Sequence, residues 1–400
     1  MNNRKLNILV VSDAIFEDEE GGAARIASEI SNRLSERGHK IYNFSRRKTG
    51  FSKTEKIGKR EIFRYKFKGL NLFGSYLDAK NIIENICRKT SIDILDFHNP
   101  QSAYLVNISG KLSTIPRIYH FQSPWHIEYE IRAKQKNVSY LSTKLQSAVR
   151  RKIENSVLKT CDKIIVLSEY MKDVLKNYHS IPSDRINIIP GSVDTERFCP
   201  IADSLLLRKE LGLPSDKMIV FTVRNLAPRM GLENLLLAFS KVVGENKKVC
   251  LVIGGRGFLE EKLKSMSSEL GLTEYVKFTG YIPDELLPKY YQASNLFVLP
   301  TLALEGFGLV TIESLSCGTP VLGTPIGATT EILLKLNLLF ESNTPEAMAK
   351  RIKEFIELPQ SELETLRKKC RDYAVENFSW ERIIQKIEEL FYSVTRKPSS

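Results

Sequence analysis

The chain of 400 residues lacks any apolar run long enough to cross a membrane. Its first apolar segment, residues 6–11, is short and ends at Ser12 and Asp13. A membrane-spanning helix needs about 20 apolar residues, and a secretory signal needs a charged start and a longer apolar region. The sequence therefore predicts a cytoplasmic protein in which residues 6–11 form a buried strand.

Cysteine and histidine are also scarce. The six cysteines stand singly without a Cys-x-x-Cys pair, and two of them, Cys250 and Cys317, lie inside apolar segments. The five histidines have no spacing typical of a zinc site; they are His39, His98, His120, His126 and His179. These patterns indicate neither a disulfide framework nor a metal centre, and they fit a reducing compartment.

Positive charge is plentiful but uneven. The net charge is +12, and residues 46–68 carry ten Lys or Arg against two Glu, with a second basic stretch at residues 132–152. Such stretches are either solvated surface or a means of attracting anionic lipid head groups or an anionic acceptor. No nucleic-acid-binding motif or aromatic platform accompanies them, so we expect no nucleic-acid partner.

Short apolar runs alternate with amphipathic stretches along the whole chain. This pattern predicts an α/β protein with two Rossmann-like, doubly wound domains of parallel strands. The alternation breaks at residues 191–217, which are rich in Pro and Gly, so we predict a linker there. The domains are then residues 1–190 and 218–378. Residues 379–396 are predicted to form a closing helix. The sequence does not determine which surface this helix packs against, and the first domain is one candidate.

Three glycine-bearing loops follow strands of the second half. They are residues 253–257, 305–308 and 327–331, and ligands bind at such strand ends in doubly wound sheets. Each loop alone can also be interpreted as a simple connection between a strand and a helix. Together the three loops predict one continuous crevice. A further loop at residues 20–25 lacks the complete Gly-x-Gly-x-x-Gly pattern, so a tight turn and a phosphate cradle both remain open.

Two glutamates stand out in this region, with seven residues between them. Glu305 lies in a glycine-flanked loop, and Glu313 lies about a turn and a half into the following helix. Free backbone N–H groups at the start of that helix favour an anion. The pattern therefore predicts a site for an anionic, polyhydroxylated ligand.

With these residues, the chain resembles glycosyltransferase family 4, a retaining group with the GT-B fold. The Gly21-Gly22 loop and residues 165–169 contribute to the resemblance, which is strongest over residues 188–335. The matching segments in that range are residues 188–194, 231–236, 278–281, 305–308 and 318–321. The resemblance implies two Rossmann-like domains that face a central cleft, with the nucleotide sugar bound by the C-terminal domain.

The resemblance also implies roles for individual residues. Glu305 would face the donor sugar and stabilise positive charge at the anomeric carbon, and Glu313 would hold the ribose hydroxyls. Gly22 would contact the diphosphate. The backbone N–H groups of Gly306, Phe307 and Gly308 would bind the sugar, and those of Leu309 and Val310 the distal phosphate. Tyr281 and Ile282 would border the base. Gly255, in the loop at residues 253–257, is a further donor-binding candidate.

The sequence departs from the family at two places. The usual Arg and Lys phosphate pair is replaced by Asn225 and Met230, which leaves Arg224 and Arg229 as candidates for that contact. Many relatives carry a catalytic histidine where this chain has Gln122. The alternatives are His120, His126 or a glutamine that suffices because the role is hydrogen bonding.

The implied activity is metal-independent, retaining glycosyl transfer from a nucleotide-diphosphate sugar, with no other cofactor. The product would be a surface polysaccharide or glycoconjugate, and a lipid-linked acceptor would place the protein at the inner membrane face. One rival is a catalytically weak partner subunit that only binds the nucleotide sugar. The other is a dinucleotide-dependent oxidoreductase, which would need a complete fingerprint after the first strand.

Overall fold

The computed structural model describes residues 4–18, 22–67, 72–135 and 138–395. The chain divides into two compact units. The first contains the described residues up to Leu167, together with Met171–Ile189 and the described residues from Ile384 onward. The second contains Ser168–Tyr170 and Pro190–Ile383. Each unit is built around its own sheet.

The described part of the first unit contains an eight-stranded sheet in the order β3-β4-β2-β1-β5-β6-β7-β8. All neighbours are parallel except β3 and β4, which are antiparallel. The strands are β1 (Asn7–Val11), β2 (Lys40–Arg46), β3 (Thr54–Ile57), β4 (Arg60–Tyr65), β5 (Ile94–Phe97), β6 (Arg117–Phe121), β7 (Lys163–Val166) and β8 (Ile186–Ile188). The sequence did not indicate β3, since it is a short, charged, exposed edge strand.

Helices connect these strands, as parallel pairing requires. They are α1 (Gly22–Glu36), α2 (Leu72–Lys89), α3 (Pro100–Ile108), α4 (Trp125–Gln135), α5 (Tyr140–Thr160) and α6 (Glu169–His179). Helices α3 and α4 were not predicted. In α3 the buried residues include Ser102, Ala103, Leu105 and Val106, so no single apolar stripe marks it as a helix.

The basic segment at residues 46–68 is partly neutralised within this unit. Arg60 and Arg64 of β4 are buried, and they pair with Glu17 and Asp18 respectively. Arg46 pairs with Asp13. The alternative of a freely exposed basic surface is therefore wrong for these three arginines, whose partners Asp13, Glu17 and Asp18 precede the segment; Arg64 also pairs with Glu55 inside it. Residue 68 lies outside the described residues.

The second unit contains a five-stranded sheet of described residues in the order β11-β10-β9-β12-β13, parallel throughout. Its strands are β9 (Met218–Val223), β10 (Val249–Gly254), β11 (Val276–Gly280), β12 (Leu296–Leu299) and β13 (Val321–Gly323). Its helices are α7 (Ser204–Glu210), α8 (Leu232–Glu245), α9 (Glu260–Glu269), α10 (Leu287–Ala293), α11 (Leu309–Ser316), α12 (Thr329–Leu333), α13 (Pro345–Ile356) and α14 (Gln360–Phe378). Near-continuous burial of β10 and β12 explains their unbroken apolar sequences.

Residues 191–217, predicted as a linker, are a packed part of the second unit. They include α7, whose first turn is capped by the Asp203 carboxylate, which accepts from the backbone N–H of Leu205. Arg208 of this helix is buried and donates to the Ala293 carbonyl at 2.9 Å and to Asn295 Oδ1 at 2.6 Å. The prolines and glycines interrupt the strand–helix alternation here without making the segment independent.

The last described helix is α15 (Trp380–Thr395), where residues 379–396 were predicted to close the fold. From Ile384 onward its residues group with the first unit. Its buried Glu388 accepts from Arg37 Nε at 2.9 Å and lies 2.8 Å from His39 Nε2. These contacts anchor the closing helix to the turn between α1 and β2.

We expect Glu388→Gln to lower the free energy of unfolding by about 1–3 kcal/mol near pH 7. Burial raises the pKa of Glu388, but Arg37 and His39 outweigh it, so the pKa is lowered from its ordinary value of 4.5. A lowered folded pKa gives stability that is present above the unfolded pKa and lost as pH falls through the folded one.

The difference between wild type and Glu388→Gln in urea unfolding should therefore shrink as the pH falls below about 4. Glu389→Gln, a change at the exposed neighbouring residue, is the matched control and should leave the unfolding free energy nearly unchanged. Equal effects of the two changes at pH 7 would contradict the anchoring role of Glu388.

All six cysteines are free, and Cys250 and Cys317 are buried, as predicted. In the part of the chain that the structure describes, no helix combines the length and the apolar character needed to cross a bilayer.

Candidate functional site

The carboxyl ends of the second unit's parallel strands share one sheet edge, and a loop follows each strand. Arg224 comes directly after β9, Gly255 after β10 and Tyr281 after β11. Thr301 follows β12 by two residues. The predicted glycine loops therefore meet at a single edge of one sheet.

The loops after β9 and β10 approach each other closely at Gly255. Its φ is +112°, and a Cβ at this position would lie 1.8 Å from the carbonyl oxygen of Arg224. The Gly255 N–H donates to the Gly280 carbonyl at 2.7 Å, and the Arg224 N–H donates to the Gly254 carbonyl at 3.1 Å. These bonds fix the backbone from which the Arg224 side chain projects.

Glu305 is held in place by neighbours from two of these loops. Its residue is only 7% exposed, and Oε2 accepts from Arg224 Nη2 at 2.6 Å and from Thr301 Oγ1 at 2.9 Å. Its backbone carbonyl accepts from the Ala328 N–H at 3.0 Å. The carboxylate and its backbone are thus both anchored, which preorganises this group before a ligand binds.

Glu305 carries a negative charge at neutral pH. Burial raises the pKa of its carboxyl group, but the charge of Arg224 and the hydrogen bonds from Arg224 and Thr301 outweigh it. The pKa of Glu305 is consequently lowered from its ordinary value. A buried carboxylate that stays ionised can stabilise positive charge that develops beside it.

Arg224 has one guanidinium nitrogen to spare. Nη2 contacts Glu305 and lies 3.0 Å from Met230 Sδ, whereas the buried Nη1 has no hydrogen-bond partner among the described residues. Arg229 Nη1 instead donates to the Leu304 carbonyl at 3.2 Å. An unpaired buried donor is costly, so this geometry favours Arg224 over Arg229 as the ligand of an anion. Asn225 is exposed.

Glu313 lies in α11, and its Oε2 accepts from the phenol of Tyr291 at 3.0 Å. Both side chains are buried. Burial and the neighbouring Glu313 raise the pKa of Tyr291 well above its ordinary value of 10.0, so the phenol stays protonated and donates. The hydrogen bond orients the carboxylate of Glu313. Sequence reasoning missed Tyr291, because an aromatic residue in an amphipathic helix carries no signal of such a role.

Helix α11 begins at Leu309, after Gly308 adopts a left-handed φ of +81°. No side chain caps this helix, and the first N–H groups of a helix have no intrahelical acceptor, which makes Leu309 and Val310 suitable for an anion. The ring of Phe307 is buried and packs against Phe378 at 5.7 Å. Phe307 therefore offers only its backbone, like Gly306.

Tyr281 and Ile282 follow β11 directly. Tyr281 is 48% exposed, whereas Ile282 is 8% exposed and packs at Gly254, where a Cβ would lie 2.5 Å from its Cδ1. An exposed aromatic ring beside a buried aliphatic chain is a suitable wall for a planar base.

The candidates of the first unit lie at other strand ends. His120 is the fourth residue of β6, and Gln122 follows that strand directly. The Nε2 atom of Gln122 is buried without a hydrogen-bond partner in the described part of the chain. Gly22 is exposed at the start of α1, whereas Glu20 and Gly21 lie outside the described residues.

His120 belongs to a buried cluster with Asp96 and His98. Its ring stacks on that of His98 at 4.2 Å, and the Nε2 atoms of the two histidines lie 2.9 and 3.0 Å from the Asp96 carboxylate. Burial raises the pKa of Asp96, but the two histidines outweigh it and hold the pKa far below its ordinary value. Asp96 therefore makes a hydrogen bond with His98 and an ion-pair contact with His120.

Histidine spacing did not reveal how these side chains assemble. Four of the five histidines fall into two buried groups with a carboxylate each, drawn from separate elements: Asp96, His98 and His120 in one, and His126, Glu154 and His179 in the other. Histidine spacing in the sequence therefore does not exclude a metal site, because the members of each group are distant in the chain.

Comparison with known families matches nearly the whole length of the chain in two parts. Residues 20–197 match the model of Glycosyltransferase Family 4, and residues 203–377 match that of Glycosyl transferases group 1. The chain belongs to glycosyltransferase family 4. The resemblance carried by residues 188–335 and by the Gly21-Gly22 loop is therefore confirmed.

Among curated proteins, this glycosyltransferase is 29% identical over 218 residues to the GDP-mannose-dependent alpha-(1-6)-phosphatidylinositol monomannoside mannosyltransferase of Mycolicibacterium smegmatis. That match covers 52% of this chain and 56% of the relative, so it spans only about half of each. A mannosylfructose-phosphate synthase from Agrobacterium fabrum is 26% identical over 329 residues, covering 76% of this chain and 71% of the relative.

Solved structures of other glycosyltransferases share the fold. Sucrose-phosphate synthase from Thermosynechococcus elongatus superposes with a TM-score of 0.80 at 22% identity, over 97% of this chain and 99% of that one. Anabaena HepE in complex with UDP and glucose gives a TM-score of 0.75 at 18% identity, over 97% and 100%. The family 4 protein has the GT-B fold, as predicted.

Proposed function

We propose that this family 4 protein transfers a glycosyl group from a nucleotide-diphosphate sugar to an acceptor hydroxyl, with retention at the anomeric carbon. The observation that carries the proposal is the buried ion pair of Glu305 and Arg224, at a sheet edge that also holds the uncapped start of α11. The pair offers a negative charge to the reacting sugar and a spare N–H to the departing phosphate.

The remaining donor contacts follow from the same edge. The Glu313 carboxylate, oriented by Tyr291, accepts from the ribose hydroxyls. The N–H groups of Leu309 and Val310 bind the distal phosphate at the positive end of α11. Tyr281 and Ile282 border the base, and Gly306–Gly308 offer their N–H groups to the sugar, in the loop that contains Glu305.

In the proposed reaction the bond between the anomeric carbon and the phosphate oxygen breaks. The acceptor oxygen forms its bond to the same carbon on the same face, and the acceptor proton passes to the released diphosphate. Glu305 stabilises the positive charge on the sugar, and Arg224 with the α11 N–H groups stabilises the leaving group. We propose that this donor site needs no metal ion.

A panel of donors tests the activity. The names of two similar proteins mention GDP-mannose and UDP. GDP-, UDP-, ADP- and TDP-sugars should therefore be assayed as donors by measuring release of the nucleoside diphosphate. The proposal requires turnover with at least one donor, an unchanged anomeric configuration in the product, and no stimulation by added Mg²⁺ or Mn²⁺. Inversion at the anomeric carbon would overturn the proposed stereochemistry.

One departure from the family pattern supports a second candidate function. Met230 and Asn225 stand where the resemblance places the phosphate-binding Lys and Arg, and Met230 is buried against Arg224. A protein that is stabilised by a nucleoside diphosphate but releases none from any donor would be a nucleotide-sugar-binding partner subunit.

We also propose that α5 brings the protein to an anionic membrane surface, where a lipid-linked acceptor for polysaccharide or glycoconjugate synthesis would be available. Leu141, Leu145 and Val149 are 81%, 69% and 50% exposed, and their four-residue spacing puts them on one helix face. The exposed Lys144 and Lys152 lie beside this apolar stripe. Apolar contact plus basic charge is the pattern of an interfacial helix.

We expect the double change Leu141→Ser and Leu145→Ser to weaken binding to vesicles that contain anionic phospholipid by about tenfold or more, because each leucine loses its apolar contact with the bilayer. Co-sedimentation with anionic and neutral vesicles measures this effect.

The matched control is Leu205→Ser with Leu206→Ser, which alters two leucines of α7 that are 56% and 68% exposed. Equal loss of vesicle binding in both double variants would contradict a specific role for α5, as would equal binding to neutral and anionic vesicles.

A further inference from the structure

A second group of histidines lies in the first unit, where three helices meet. His126 is the second residue of α4, Glu154 lies in α5, and His179 is the last residue of α6. Their side chains are 5%, 1% and 0% exposed. None of the three takes part in the proposed transfer reaction, and a buried carboxylate with two facing imidazoles needs an explanation.

The distances within this group differ from those of a hydrogen-bonded cluster. Glu154 Oε2 lies 3.3 Å from His179 Nε2 and 3.8 Å from His126 Nδ1. Both nitrogens are buried and have no hydrogen-bond partner among the described residues. Ligands bound tetrahedrally at about 2.0–2.2 Å from a zinc ion lie about 3.3–3.6 Å from each other. The separation between His179 and Glu154 falls within this range, and the separation between His126 and Glu154 is slightly larger.

The Asp96 cluster provides an internal comparison. There the two histidine nitrogens lie 2.9 and 3.0 Å from the Asp96 carboxylate, which is the ordinary range for direct contact. His98 makes a hydrogen bond to Asp96, whereas His120 Nε2 and Asp96 Oδ1, like the nitrogens around Glu154, have no hydrogen-bond partner among the described residues. The two groups therefore differ in their separations, which are wider around Glu154.

The other nitrogen of His179 determines which tautomer faces Glu154. Nδ1 pairs with Asn155 Oδ1, an oxygen that can only accept, so Nδ1 carries the hydrogen. In the neutral ring Nε2 then presents a lone pair to the Glu154 carboxylate, an arrangement that a cation between them stabilises. Metal-binding histidines typically donate their second N–H to such an oxygen.

The orientation of Glu154 is also fixed. Its Oε1 and Oε2 lie 3.3 and 3.2 Å from the Trp125 N–H at the start of α4. This donor holds the carboxylate so that Oε2 stays directed towards both imidazoles. All three ligand atoms lie within 4.8 Å of one another.

We propose that His126 Nδ1, His179 Nε2 and Glu154 Oε2 bind a zinc ion. Two imidazoles and one carboxylate form a ligand set that zinc accepts, with a fourth position for water. His126 also borders a cavity of about 720 Å³, whose lining includes Glu130 and Asn155 together with the basic side chains of Lys144, Arg151, Lys152 and Lys159. The ion links α4, α5 and α6, and so stabilises the helix that carries the exposed apolar stripe.

The test uses the full-length protein, stripped of metal with a chelator and then titrated with Zn²⁺ or Co²⁺. We expect about one ion per chain, visible absorption typical of tetrahedral Co²⁺, and a higher melting temperature with Zn²⁺ than without it. His126→Ala with His179→Ala should abolish all three effects.

Two further variants keep the test decisive. Asn155→Leu removes only the acceptor for His179 Nδ1 and should weaken zinc binding by about 10–100-fold in a folded protein. His39→Gln alters another buried histidine, one at 2.8 Å from a glutamate, and should leave zinc binding unchanged. If the stripped wild type binds no stoichiometric Zn²⁺ or Co²⁺, or if Asn155→Leu binds it as tightly as wild type, the proposal is wrong.

Discussion

Glu305→Gln should reduce glycosyl transfer by about 100- to 1,000-fold while nucleotide affinity stays close to that of the wild type. The substitution keeps the shape of the side chain and removes the charge that faces the developing cation on the sugar. In the proposed site nucleotide affinity comes from Glu313, α11 and Arg224, and the glutamine amide oxygen can still accept a hydrogen bond from Arg224. Single-turnover rates and calorimetric titration with the preferred nucleoside diphosphate measure the two quantities separately.

Thr301→Val is the matched control for this prediction. It removes one hydrogen bond to the same Oε2 atom but leaves the carboxylate charged and paired with Arg224. We expect a much smaller loss of rate than for Glu305→Gln. Near-normal turnover of Glu305→Gln, in a variant that melts like the wild type, would show that the carboxylate has a different role.

Removing the Arg224 guanidinium is expected to weaken nucleoside diphosphate binding by about 10–100-fold, since a charge-assisted hydrogen bond is worth about 1.5–3 kcal/mol. Arg224→Met alone would leave the Glu305 carboxylate buried without its partner, which is destabilising by about 3–5 kcal/mol. The informative comparison is therefore Arg224→Met in the Glu305→Gln background against Glu305→Gln alone.

Two controls assign the loss of affinity to the phosphates. Affinity for the corresponding nucleoside, which has no phosphate, should be the same in both proteins. Arg229→Met should have a smaller effect on diphosphate binding, because Arg229 already donates to the Leu304 carbonyl. A larger effect of Arg229→Met than of the Arg224 change would make Arg229 the residue that replaces the missing pair.

The sequence predicted the central strands of each sheet better than the edge strand and the helices around them. Buried parallel strands such as β9 and β10 are continuous apolar runs, and that signal is local. Elements with a weaker pattern were missed, namely the charged edge strand β3, helix α3 with its mixed polar and apolar buried residues, and α7 in a segment rich in Pro and Gly. Their positions depend on tertiary partners such as those of Arg208, which lie far away in the sequence.

For the candidate site, the spacing of residues in the sequence predicted which loops and carboxylates lie together. It could not predict contacts between side chains that are distant in the chain. Glu305 and the start of α11 are neighbours in the chain, so the sequence alone predicts that they lie together. The Arg224–Glu305 pair joins residues 81 positions apart, and the Tyr291–Glu313 bond joins two helices. The Glu154 cluster draws on three helices and left no trace in the spacing of histidines.

The path of the chain through the two units has a consequence for synthesis. The first unit begins with β1 and receives its last helix only from Ile384 onward, after the whole second unit. In topological terms Pro190–Ile383, which forms most of the second unit, is an insertion within the first. On the ribosome this segment and the earlier Ser168–Tyr170 can therefore fold together first, while the first unit must wait for α15 to emerge before Arg37 and His39 meet Glu388.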